Sequence, residues 1–363
     1  MNPPSPSPDA EKPQARVPFF TVVLAGYRTA PYLPKALDSI SGQTFKDFEA
    51  ICYVERSDDA SLALCRDRAG ADPRFRVVDA PRSGAVATTR NYAITHAKGK
   101  YLVVLDGDDW LAPTMLEEIF RRIGETGPVD VLAFGGVTVT SPEDSWAAAP
   151  KLANFSPTDA RDVLSGPDAI RRAGHRGRGF CNHVVLSAYR IDFLRQHRLF
   201  QKDGMLMEDF EWTPRVWFLA GRIACLDRLF YAYRRRLDSL TTEASPRIAG
   251  DVVRHVRSLL DFAEGREVPS DILAIWANQW TSLLYWFLFH PVTSRKIPDR
   301  VRREALSVLM ADGGNSRLGR FVARASFPKR IAWPMVRLAA NGIQFPAKFF
   351  FRRIYYPLAA RHG

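Results

Sequence analysis

The chain has 363 residues, 46% of them hydrophobic, and a formal net charge of +12. That is enough for one large core plus an appendage. Its four cysteines, Cys52, Cys65, Cys181 and Cys225, stand far apart without a CxxC pair, which excludes a zinc site or disulfide framework legible from spacing and fits free thiols in a reducing compartment.

The opening Met1-Asn-Pro-Pro-Ser-Pro-Ser-Pro has neither a basic nor an apolar signal region, so residues 1–17 read as a disordered leader and the chain as cytoplasmic. Phe19–Ala25 is a strand ended by Gly26-Tyr27, and residues 31–42 place Leu33, Leu37 and Ile40 at helical spacing. Strands follow at Phe48–Val54 and Phe75–Val78, with helices predicted over Asp58–Ala69 and Ala85–Ala97. The run Tyr101-Leu-Val-Val-Leu-Asp-Gly-Asp-Asp-Trp110 comes next, then a helix over Pro113–Ile123 and a strand over Val129–Phe134. Strict strand–helix alternation predicts right-handed crossovers and an α/β fold, a mostly parallel sheet with helices on both faces. No GxGxxG follows the first strand and no GxxxxGK[ST] occurs, so dinucleotide and P-loop readings lose their usual support.

The segment 101–110 is apolar up to Leu105 and then delivers Asp106, Asp108 and Asp109. Three carboxylates at the carboxyl end of a buried strand need a cation or hydroxyl partners, because unpaired burial costs several kcal/mol each. Alternate residues of an extended segment share a face, so Asp106 and Asp108 are expected to grip one divalent ion or its ligand. The competing expectation is that Asp109, just before Trp110-Leu-Ala-Pro, is a helix cap on a solvated turn.

The second half is less regular. Arg171-Arg-Ala-Gly-His-Arg-Gly-Arg-Gly179 suits a loop, either solvated or folded over phosphates. Leu273–Phe289 is apolar but holds Asn278 and Gln279, and it reads as a buried amphipathic helix rather than a membrane span. After Asp312 stand ten Lys or Arg and no Asp or Glu, which leaves about +2 for everything before them. Phe321, Phe327, Trp333, Phe345, Phe349, Phe350, Phe351, Tyr355 and Tyr356 are interleaved with those charges. Such a tail, residues 313–363, suits an anionic membrane surface, or packs on the protein or a partner. Nothing of helix-turn-helix, RNP or zinc-finger type supports nucleic acid.

The ordered set of motifs resembles the family-2 glycosyltransferases of the GT-A fold, from about Phe19 to Thr241. The blocks that carry it are the first strand with Tyr27, Gln43–Glu49, Gly84-Ala-Val-Ala-Thr-Thr-Arg-Asn91, Gly99–Leu111, Met207-Glu-Asp-Phe-Glu-Trp212, and Phe230–Arg236 with Ser239-Leu-Thr241. The resemblance implies a GT-A domain over 18–242; residues 243–312 are expected to form a helical extension ahead of the basic tail. It implies that Asp106 contacts the nucleoside and that Asp108, with Asp106, holds a divalent cation, Mn2+ or Mg2+, on the diphosphate of the sugar donor. Tyr27, Glu55, Asp59 and Arg90 match positions near the nucleotide, and Glu208-Asp209 matches the acceptor-side acid pair. An inverting transfer needs a carboxylate base at the acceptor hydroxyl, here Asp209, with Glu208 as second choice; both could instead be helix N-terminal charges. Trp212 is expected either to stack on a sugar or to join the core. One departure stands out: Val54 replaces an acid and Arg56 a glycine at the end of the second strand, which weakens uridine as the expected base.

The expected activity is transfer of a sugar from a nucleoside diphosphate, UDP favoured, to a sugar or lipid-linked glycan hydroxyl in bacterial surface polysaccharide or glycolipid synthesis. The expected place is the inner face of the cell membrane. Two alternatives remain: a non-catalytic, membrane-associated sugar-nucleotide-binding protein, and a sugar-phosphate nucleotidyltransferase. The latter lacks its usual glycine-rich basic loop, since Gly26-Tyr-Arg-Thr-Ala-Pro follows the first strand.

Overall fold

The computed structural model describes residues 17–144, 146–152, 161–175, 183–235, 246–289 and 298–310, with short stretches and single residues from 319 to 351. Its first half follows the expected alternation: β1 (Phe20–Gly26), α1 (Leu33–Ser41), β2 (Phe48–Glu55), α2 (Ser61–Ala71), β3 (Phe75–Ala80), α3 (Ala87–His96) and β4 (Tyr101–Asp106). These strands pair in parallel in the order β3-β2-β1-β4. The first five residues of β4 are buried, as a central strand covered on both faces requires. Gly99 precedes β4 because a Cβ there would lie 2.6 Å from the backbone of Phe20 and Thr21.

Register then builds the site. Gly26 pairs with Val54, Ala25 with Asp106, and Glu55 with Ala80. The carboxyl ends of β1 to β4 thus align, and Tyr27, Glu55 and Asp106 emerge at one sheet edge, where open α/β sheets bind ligands.

Beyond β4 come β5 (Trp110–Leu111), α4 (Met115–Thr126), β6 (Val131–Val139), β7 (Val163–Leu164), α5 (Gly166–His175), β8 (Ser187–Arg190), α6 (Ile191–Gln196), α7 (Asp209–Leu219) and β9 (Ile223–Arg234). The expected next crossover is modified here, because β6 does not lie beside β4. Antiparallel β8 sits between them, and β9 continues the sheet parallel to β6. Arg171 to His175 end α5 rather than belonging to a loop; Arg171 pairs with Asp168 and Asp271, and the rest of that glycine–arginine run lies outside the described residues.

Helices α8 (Pro246–Gly265), α9 (Ser270–Phe289) and α10 (Asp299–Met310) follow. Among the described residues no helix is long and apolar enough to cross a membrane. Buried Trp276, Ala277, Trp280 and Tyr285 tie α9 into the core. In the tail, Val322, Ala325, Ala332, Val336 and Phe351 also join that core, while Arg320, Arg324 and Arg330 are exposed. Phe351 stacks on Phe289 with ring centroids 4.3 Å apart. The tail's other aromatics, residues 1–16 and Ser239 to Thr241 lie outside the described residues.

Candidate active site

The chain turns sharply after Asp106. Asp109 N–H donates to Asp106 O (3.0 Å) and Gly107 N–H to Ala25 O (2.9 Å). A Cβ on Gly107 would lie 2.7 Å from Ala25 O, so only glycine lets the turn lie this close to β1. The extended alternation expected for Asp106 and Asp108 therefore stops at the turn. The two carboxylates remain neighbours even so, since Asp108 helps to raise the pKa of Asp106.

Asp109 caps no helix, because Trp110-Leu111 is strand β5 and α4 begins at Met115. It is buried, accepting from Tyr231 OH (2.6 Å) and Arg234 N–H (2.7 Å). Burial, with the charges of Asp108 and Asp106, pushes its pKa well above the carboxylate range. Asp109 thus ties the turn to β9. Arg234 Nε donates to Asp108 O (2.9 Å) while its guanidinium lies over the rings of Tyr32 and Trp110.

Arg90 is the centre of the site. It lies on the core face of α3 with Ala87, Ala93 and Ile94 and is only 4% exposed. Its Nη1 donates to Glu208 Oε1 (2.5 Å) and Asp209 Oδ1 (2.7 Å), and its Nη2 lies 3.5 Å from Asp106 Oδ1. Glu208 and Asp209 open α7, yet neither side chain caps it; both turn to Arg90. Asp209 Oδ2 also accepts from Val184 N–H (3.2 Å). Met207, just before the pair, has φ +65°, a conformation that a non-glycine side chain keeps only under tertiary constraint.

Three acidic side chains face one buried cation. Burial pushes Glu208 from its ordinary 4.5 up to about 8, with Arg90 opposing and Asp209 reinforcing. Burial also raises Asp106, against Arg90 and with help from Asp108 and Asp209. Arg90 stays protonated: burial would lower its pKa, but Asp209, Glu208 and Asp106 outweigh it. Beyond its 3.5 Å ion pair with Arg90, Asp106 Oδ1 is buried without a hydrogen-bond partner.

The other end of the edge gathers Tyr27, Glu55 and the loop after β3. Buried Glu55 accepts from Arg82 Nη1 (2.9 Å), Ser83 Oγ and Gly84 N–H (3.4 Å). The Arg82 guanidinium lies 3.3 Å from the Tyr27 ring centroid. Arg82 was not singled out from the sequence, although its place two residues past β3 on the ligand-binding edge is a usable signal. Val54 is buried in the core, and Arg56 is exposed and pairs with Asp79 (2.8 Å). Neither departure from the family pattern is among Glu55's hydrogen-bond partners.

Asp59 is turned to the protein. It accepts from Ala30 N–H (2.9 Å), Ser57 Oγ (2.8 Å) and both Ser61 N–H and Oγ, locking the loops after β1 and β2 together. Burial would raise its pKa, but these bonds outweigh it and hold the pKa low. Trp212 belongs to the core: it is 2% exposed, and its Nε1 donates to Leu199 O (2.7 Å).

Residues 21–176, which carry nearly all of β1, the elements from there to α5 and the whole Asp106 turn, match the model of Glycosyl transferase family 2. They form a family-2 glycosyltransferase domain. Among curated relatives, the chain is similar to the "uncharacterized glycosyltransferase EpsJ" of Bacillus subtilis (strain 168), 27% identical over 227 residues, or 62% of this chain and 63% of that one. The match therefore spans less than two thirds of that relative. Among solved structures, S. aureus TarS 1–349 in complex with UDP-GlcNAc superposes with a TM-score of 0.70 at 18% identity over 92% of each chain. The mannosyltransferase PcManGT of Pyrobaculum calidifontis, in complex with GDP-Man and Mn2+, gives 0.51 at 18% identity over 94% of this chain and 91% of that one. At such identities the likeness establishes the shared GT-A fold.

Proposed function

We propose that the protein is a glycosyltransferase that moves a sugar, with inversion, from a nucleoside diphosphate to an acceptor hydroxyl. The observation that carries this reading is Arg90, which joins Asp106 at the end of β4 to Glu208 and Asp209 at the start of α7. It brings three acids around one point, which supports reading Asp106 as the donor-side carboxylate and Glu208-Asp209 as the acceptor-side pair.

The nucleoside takes the edge formed by Tyr27, Glu55 and Arg82, with the diphosphate towards Asp106 and Asp108. Asp59 acts there through the loops it locks. Glu55 accepts from an N–H of the base. This suits UDP, and TarS, whose fold the chain shares, binds UDP-GlcNAc. The acceptor oxygen attacks the anomeric carbon, Asp209 takes its proton, and the bond to the diphosphate breaks with its electron pair on the leaving oxygen. Asp209 is the more exposed of the two acids, with side-chain exposure of 20% against 7% for Glu208. Glu208, protonated near neutrality, orients Arg90 and Asp209.

The donor set fits a hard divalent cation, Mn2+ or Mg2+. Among the described residues no three His, Cys, Asp or Glu form a ready cage, but Asp106 Oδ1, in a 3.5 Å ion pair with Arg90 and without a full hydrogen bond, is buried beside Asp108. One or two carboxylates completed by diphosphate oxygens are a usual set for such ions. When bound, the ion neutralises charge on the leaving diphosphate.

A lipid-linked glycan acceptor at the inner face of the cell membrane, in surface polysaccharide or glycolipid synthesis, suits the exposed arginines of the tail. Val322, Ala325, Ala332, Val336 and Phe351 are packed inward, which leaves charge rather than these side chains for the headgroups. Thermal-shift titration against UDP- and GDP-sugars, with and without Mn2+, tests the reading. A cognate donor at a hundredfold excess over Kd stabilises by about 2.7 kcal/mol; no response to any sugar nucleotide defeats the proposal.

A further inference from the structure

Helix α8 lies outside the matched family domain, yet it carries one polar stripe, Arg247, Asp251, His255 and Ser258, at helical spacing. The stripe meets the chain leading to the acid pair almost residue by residue. Arg247 Nη2 donates to Gly204 O (2.8 Å) and to Gly84 O (3.3 Å), the latter on the loop that faces Glu55. Asp251 Oδ2 accepts from Leu206 N–H (3.0 Å), and His255 Nε2 bonds Leu206 O (2.8 Å). Ser258 Oγ donates to Glu211 Oε1 (2.8 Å) in the first turn of α7. Asp251 and His255 are fully buried.

Both backbone groups of Leu206 are therefore taken by side chains one turn apart on α8. A carbonyl only accepts, so His255 Nε2 carries the hydrogen and Nδ1 the lone pair. Nδ1 is buried without a partner, and burial keeps the ring neutral. One residue separates this clamp from Glu208, and it is Met207 with φ +65°. Earlier in the same segment other elements hold the chain: Trp212 bonds Leu199 O, Arg215 bonds Phe200 O, and the Asn91 amide brackets Gln201.

We propose that α8 positions the acid pair: Asp251 and His255 hold Leu206, fix the left-handed turn at Met207, and so set Glu208 and Asp209 against Arg90. This makes the helical extension part of the catalytic apparatus, with Arg247 linking it to the donor-side loop. The proposal rests on the reading of Glu208 and Asp209 given above. His255 and Asp251 are positioning residues.

The test compares full-length wild type, His255→Leu and His255→Gln. One measurement is hydrogen exchange in peptides covering residues 203–210. The other is steady-state release of nucleoside diphosphate from UDP-GlcNAc or GDP-mannose with water as acceptor. The Leu variant is expected to exchange faster in that segment while β1 to β4 stay protected. Its kcat should fall about 10–100-fold at unchanged donor KM, as expected for a misplaced catalytic group. The Gln variant, whose amide reaches the Leu206 carbonyl, should restore both. Unchanged exchange, or a loosened segment with unchanged kcat, overturns the proposal. If His255→Leu gives no cooperative melt, Asp251→Ala is compared with Asp251→Asn on the same two measurements. Absence of turnover by wild type would count against the glycosyltransferase reading, while exchange would still decide whether α8 holds the turn.

Discussion

Replacing Glu208 by Gln isolates the electrostatics of the acid pair. In the folded protein burial pushes the Glu208 carboxyl from 4.5 to about 8, so it keeps its proton where the unfolded chain has lost it. For a group raised in this way the associated stability is fully present below about pH 4.5 and is lost as pH rises through about 8. At roughly 1.4 kcal/mol per pH unit the loss amounts to at most about 5 kcal/mol. Gln mimics the protonated acid: its oxygen accepts from Arg90 and its amide donates towards Asp209, with nothing to deprotonate. Urea unfolding of both proteins from about pH 5 to about pH 9 measures the difference, in which the other titrating groups largely cancel. The difference should move in favour of Glu208→Gln as pH rises and flatten above about pH 8. A difference that stays constant with pH would refute the placement of a buried, protonated Glu208 beside Arg90.

Asp108→Ala should remove the Mn2+-dependent part of UDP binding in titration calorimetry; an unchanged metal response would reassign the ligand. Asp209→Asn should leave donor binding intact and lower single-turnover transfer by roughly 10²–10⁴-fold, while Glu208→Gln should cost less. Near-normal transfer by Asp209→Asn would move the base elsewhere. Gly107→Ala should destabilise the fold by about 1–3 kcal/mol and weaken donor binding, because its Cβ meets the Ala25 carbonyl, and calorimetry of the variant checks both. Phe351→Ala should cost about 3–5 kcal/mol in denaturant unfolding, since the ring is buried on Phe289 and Tyr285; no loss would free the tail for another role.

Much of the domain was legible locally. The apolar runs of β1, β2 and β4 and the helical spacing of Leu33, Leu37 and Ile40 each reflect burial on a nearby face, which a short window records. The DGDD turn was legible as a point where partners are needed, because three carboxylates cannot follow a buried strand unpaired. Its internal division of labour was not. Asp109 is assigned by Tyr231, 122 residues away, and by the backbone of Arg234. The insertion of β8 between β4 and β6 likewise depends on pairing between strands far apart in sequence, which no local pattern encodes.

Local patterns in the chain were enough for the α/β class and for the sheet edge at which Tyr27, Glu55 and Asp106 gather. How those residues pair depends on long-range contacts. Arg90 gathers three acids from elements more than a hundred residues apart, Arg82 lies on Tyr27, and the stripe of α8 seizes the backbone before Glu208. The physical reason is the same in each case. Hydrophobic periodicity is set by which face of one element is buried. The protonation and direction of a buried polar group are set by whichever partners the fold brings to it.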